Sequence, residues 1–92
     1  MVGMMAASKA GHDKLQVYVI VKEEGDFVYL SDGRLKPIAK PKKKSKKHIQ
    51  IIKHQVNEEL ASRLVSGVRV YDEEIKLAIK LWNRKNKEED NV

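Results

Sequence analysis

The sequence predicts a mainly β domain, a small barrel of four or five short strands, followed by two short C-terminal helices. Three observations lead there. Apolar and polar residues alternate in short runs rich in β-branched side chains as far as residue 55. Turn residues separate these runs at short and regular intervals, the spacing of a small barrel. Beyond Asn57 the apolar residues recur at helical spacing.

With 92 residues there is room for one modest core. Such a domain buries roughly 60–65% of its unfolded surface, a thin margin that a bound partner would widen. The expected division is a barrel over 1–55 that includes a basic loop at 40–47, a helical extension over 56–84 packed on or beside it, and a frayed tail over 85–92.

The first strand falls in residues 3–9, GMMAASK, and Ala10-Gly11-His12-Asp13 turns the chain. LQVYVIVK at 15–22 is the clearest strand, with Leu15, Val17, Val19 and Val21 alternating against Gln16, Tyr18, Ile20 and Lys22. Glu23-Glu24-Gly25-Asp26 closes a hairpin onto Phe27-Val28-Tyr29-Leu30. Asp32-Gly33 signals a type I′ turn into a strand over Arg34–Ile38, placed at an edge because Pro37 has no amide proton. The lysine run KPKKKSKK cannot bury itself and is expected as a solvated loop. His48–Ile52 is the last short strand.

Asn57 is the expected N-cap of the first helix, with Glu58 and Glu59 in its first turn, Leu60 and Leu64 one turn apart, and Gly67 ending it. Asp72 is expected to cap the second helix. There Glu73 and Glu74 suit the first turn, and Ile75, Ala78, Ile79 and Trp82 share one face.

The net charge is +6, and its distribution points to a polyanion. Between Asp32 and Glu58 there is no acidic residue, while Arg34, Lys36, Lys40, Lys42, Lys43, Lys44, Lys46, Lys47 and Lys53 all lie there. The absence of cysteine excludes a disulfide framework, a thiolate zinc site and a cysteine nucleophile, and a reducing cytoplasm is the simplest compartment. The apolar stretch at the start is too short for a secretory h-region or a membrane span.

Ser8-Lys9-Ala10-Gly11-His12-Asp13-Lys14 ahead of a valine-rich strand resembles a KOW motif, the strand–loop–strand element of many ribosomal and elongation-factor barrels. The order AGHDK, VYVIVKEEGDFVYLSDGRLK, PKKKSKKHIQ and a helical tail looks like the small bacterial KOW-domain RNA-binding proteins, themselves similar to certain archaeal and eukaryotic large-subunit ribosomal proteins. Leu15 stands where a KOW motif usually carries a second glycine. The resemblance implies an SH3-like barrel with a helical extension and an RNA ligand, ribosomal RNA being the one the family suggests, with a place in translation.

A lysine run is commonly only a solubilising surface, but this one is internal and framed by strands, which would present its ammonium groups together to a phosphate backbone. The expected phosphate contacts are Arg34, Lys36, Lys40, Lys42, Lys43, Lys44, Lys46 and Lys47, with His48 closing the run. Lysine is a flexible point charge and only Arg34 offers a planar fork, so base reading by this segment should be weak. Among the aromatics, Tyr18 is the expected exposed stacking platform, and Phe27, Tyr29, Tyr71 and Trp82 are assigned mainly to the core. Lys9, Gly11, His12 and Lys14 are either a plain connecting turn or a backbone contact; the KOW resemblance implies RNA contact.

His12, His48 and His54 have no ligand-like spacing, so neither metal nor cofactor is expected. The carboxylates fall in turns and at helix starts, and no serine has a nucleophile's context, so no catalysis is expected. An alternative function is a protein-interaction adaptor that docks a partner through Leu60, Leu64, Ile75, Ile79 and Trp82. KPKKKSKK also resembles a nuclear address or an anionic-lipid contact, though no second membrane anchor accompanies it.

Overall fold

The computed structural model describes residues 1–8, 16–55 and 58–90, with side chains placed over 1–8, 16–52 and 58–84. Strands β1 (Met4–Ser8), β2 (Val17–Glu24), β3 (Phe27–Ser31), β4 (Lys42–Ser45) and β5 (Ile49–Gln55) precede helices α1 (Glu58–Ser66) and α2 (Asp72–Asp90). All pairings are antiparallel, and the strands lie side by side in the order β4-β3-β2-β1-β5.

The sheet is not closed, yet it must curl. Its edge strands β4 and β5 are joined by a single 3-10 turn, Lys46–His48. In a flat sheet of five strands those edges would lie about 19 Å apart. Four residue steps, even fully extended, reach at most about 14 Å. Inside the curl, Ala6, Tyr18, Ile20, Val28, Leu30 and Ile49 form one buried cluster. The opposite face carries a second, in which Val19 packs with Leu60, Val70 and Ile75 beneath the helices. Period-two alternation in β2 sends Tyr18 and Ile20 to one core and Val19 to the other, which is why VYVI is buried on both sides. An irregularity between Ile20 and Lys22 then shifts the register, so that Lys22 pairs with Tyr29.

The β2–β3 hairpin forms as expected, with Gly25 at φ +59 in a two-residue turn between the paired Glu24 and Phe27. The expected strand over Arg34–Ile38 does not form. One Asp32 carboxylate oxygen accepts the amides of Arg34 (2.8 Å) and Lys36 (2.9 Å), and the Asp32 amide donates to the Lys36 carbonyl, so donors that a ladder would need are used within the loop. Of the two turn residues only Gly33 has positive φ, which rules out type I′.

The lysine block also departs from expectation, because Lys42–Ser45 is not a solvated loop but an edge strand. Lysines are well suited to an edge, where their charge deters further strand pairing. Alternation explains how a polar strand is accommodated. Lys42 and Lys44 stand opposite the buried Leu30 and Val28, and both are half-buried, as a lysine can be when its apolar stem covers a core.

Helix α1 ends in a Schellman turn: Gly67 adopts φ +78, and the Val68 amide donates to the Arg63 carbonyl at 2.9 Å. Its expected N-cap, Asn57, lies outside the described residues. Helix α2 continues to Asp90, through the segment read as a frayed tail. Asp72 does not cap its own helix. Its carboxylate accepts the Ile38 amide at 2.8 Å and so ties the 32–40 loop to α2. Glu74 takes the N-terminal role, accepting the Tyr71 amide at 2.9 Å, and forms a two-pronged ion pair with Arg63 of α1.

The Arg63 hydrogen bond, followed by that from the Tyr71 amide, holds the Glu74 carboxyl below its ordinary 4.5. A depressed carboxylate contributes stability that is present above its ordinary value and lost as pH falls through the folded value. Thermal melts taken from neutral pH down to about pH 3 should therefore show wild type losing Tm more steeply through the acid range than Glu74→Gln. Parallel curves would mean that the α1–α2 ion pair contributes nothing.

Candidate nucleic-acid interface

Strands β2, β3 and β4 share a face that the helices cover only at one end. The helices sit over Val19, which pairs with Ser31. By alternation Tyr29 and Phe27 lie on the same face, farther along β3, where Phe27 is 41% exposed and Tyr29 half-buried. Lys43 places its ammonium 4.5 Å from the centre of the Phe27 ring, and Lys22 places its own 5.3 Å from that of Tyr29. The result is two aromatic rings, each flanked by a cation at cation–π distance, on one open sheet surface. Lys22 also pairs with Glu24 at 3.4 Å, an exposed contact of little energetic weight.

The remaining cations of the basic window are not equivalent. Arg34, Lys40, Lys43, Lys47 and His48 are exposed, whereas Lys36, Lys42 and Lys44 are half-buried. Lys46 has a structural role as well. Its ammonium pairs with Glu23 at 2.6 Å and its amide donates to the Asp26 carbonyl, which fastens the start of the 3-10 turn to the β2–β3 hairpin. That contact, more than any other, lowers the Glu23 carboxyl from its ordinary value.

Tyr18 is not a platform. It is only 4% exposed, lies in the inner core and donates its hydroxyl to Gln16 at 2.7 Å. On this sheet face the open rings are Phe27 and the half-buried Tyr29, whose position two residues apart on one strand is visible in the sequence, while Tyr71, expected in the core, is 54% exposed between the helices with Arg69 5.2 Å from its ring centre. The sequence does not show how far the helices reach across that face. Lys9, Gly11, His12 and Lys14 lie outside the described residues.

The apolar residues offered for an adaptor surface are largely committed to the core, since Leu60 and Ile75 are buried and Leu64 and Ile79 pack against them. Among the described residues, no helix is long and apolar enough to cross a membrane. No protein-family model matches this chain, and no curated protein matches it at a significant level.

Proposed function

We propose that this protein is a non-catalytic RNA-binding module that takes a single strand across the open face of β2–β3–β4. The observation that carries this reading is the pairing of Phe27 with Lys43 and of Tyr29 with Lys22, beside an edge strand of lysines. Aromatic faces accept bases of any identity and the surrounding ammonium groups neutralise phosphates, a combination suited to single strands with little sequence preference. The KOW-like residues 8–14 support the reading, and so does the curled sheet, whose four-strand meander returns through a 3-10 turn to pair β5 with β1. That connectivity fits an SH3-like barrel. Ribosomal RNA, in the cytoplasm, is the target that the KOW resemblance favours.

The test is a titration of the protein with fluorescent single-stranded RNA, hairpin RNA and matched DNA at several salt concentrations. RNA binding that weakens steeply with salt is expected, and no binding, or binding indifferent to salt, would defeat the proposal. Phe27→Ala should weaken single-strand binding roughly tenfold, within the range of one lost stacking contact, with little change in Tm because the ring is exposed. Unchanged affinity would remove Phe27 from the interface.

A further inference from the structure

Past the end of β3, beyond the buried Ser31, a cleft opens between the 32–36 loop and helix α2. It has a volume of about 490 Å³ and is lined by Asp32, Arg34, Lys76, Ile79, Lys80 and Asn83. That is within the roughly 300–1,000 Å³ of sites that hold small ligands. Three side chains on the wall are cationic and one is anionic, and the anion is already engaged, since a carboxylate oxygen of Asp32 holds the loop amides. Among the described residues Arg34, Lys76 and Lys80 form no ion pair. Beneath them lies Ile79, which packs on the outer core.

The loop itself is held rigidly against the helix. Gly33 comes so close that a Cβ built on it would lie 2.4 Å from the Asp72 carbonyl oxygen and 2.9 Å from Cγ of Lys76. Asp72 returns the contact by accepting the Ile38 amide. The cleft wall is therefore set by packing, as a selective subsite requires. It also adjoins the lysine strand. Lys42 pairs with Leu30, two residues before Asp32, which places the two roughly 8 Å apart at the spacings of a sheet.

We infer that this cleft is a nucleotide subsite at one end of the RNA path, accepting a single unstacked nucleotide of the strand bound on the β2–β3–β4 face. Its phosphate sits among Arg34, Lys76 and Lys80, and its base rests on Ile79 and the lysine stems. The Asn83 amide, both donor and acceptor, reaches the base edge. This inference rests on the RNA-binding reading and adds a helix to it: α2 is part of the binding surface, and Arg34 is its bidentate group.

The test uses the full chain, a fluorescent ten-nucleotide oligouridine carrying one 4-thiouridine, and the double variant Lys76→Gln, Lys80→Gln. Both lysines are exposed and glutamine is nearly as good a helix former, so the variant should keep the wild-type Tm. Two lost phosphate contacts should make the log–log salt slope shallower by about 1.4 and weaken binding on the order of tenfold at low salt. Photocross-links in wild type should fall within residues 32–36 or 76–83 as well as on β3 and β4. If wild type binds the oligonucleotide with a steep salt slope while the folded double variant binds equally well, the subsite is overturned and the sheet-face reading survives. If wild type binds no RNA, both fall together.

Discussion

Changing Lys22, Lys40, Lys43 and Lys47, all exposed, to Gln should flatten the salt dependence of RNA binding. If about six cations of the wild-type protein contact phosphates of a single strand, the log–log slope is near −4, and affinity falls more than a hundredfold between about 50 and 200 mM salt. Four fewer contacts leave a slope near −1.4 and a fall of less than about tenfold over the same interval. The magnitude separates a phosphate clamp from a merely solubilising strand, for which the slope would not change. Lys42 and Lys44 are left unchanged because they stand on the inner-core face opposite Leu30 and Val28, and the variant's Tm is measured beside its affinity. Lys46→Gln makes the useful contrast. Because that ammonium is held by Glu23, its loss should lower Tm and leave the salt slope nearly unchanged.

The largest stability effect is expected at Gly33. Its φ of +73 is costly for any residue with a Cβ, and the added atom would meet the Asp72 carbonyl oxygen, part of the helix backbone, at 2.4 Å. Gly33→Ala should therefore cost about 2–4 kcal/mol, a Tm loss on the order of 10–20 °C in a domain of this size. Gly25→Ala is the matched control. It has φ +59 and open space around its Cβ position, so only the backbone penalty of about 1–2 kcal/mol should appear. Equal losses in the two variants would show that the 32–36 loop does not pack tightly on α2. A much larger loss at Gly33 would establish the contact that shapes the cleft beside Arg34.

The contrast between Gly33 and Gly25 also shows how the sequence informs and misleads. Both glycines sit beside an aspartate and both read as hairpin turns. Gly25 is one, because the strands on either side pair with each other. Gly33 is not, because the Asp32 carboxylate gathers the amides of Arg34 and Lys36 and the loop then docks on a helix almost forty residues away. Turn chemistry is local and legible, whereas the surface that a turn leans on is not. Tyr18 and Phe27 repeat the lesson. Both occupy apolar strands, and only the curl of the sheet puts Tyr18 inside and leaves Phe27 beyond the edge of the helices.

By itself the sequence determined the first three strands, the last strand, the two helices, the hairpin at Gly25, the glycine stop of α1 and the placement of about half the basic residues in one acid-free window. These follow from backbone preference, hydrophobic period and charge, all of which act over a few residues. Only the tertiary structure decided that the lysine run is an edge strand, that Lys46 is tied to Glu23, that Phe27 and Tyr29 are the rings left open on the sheet face, and that α2 and the 32–36 loop form a cationic cleft. The physical reason is that burial and pairing depend on neighbours distant in sequence. A lysine adopts a strand when a half-buried partner strand offers its unpaired edge, and no local pattern in KPKKKSKK records that offer.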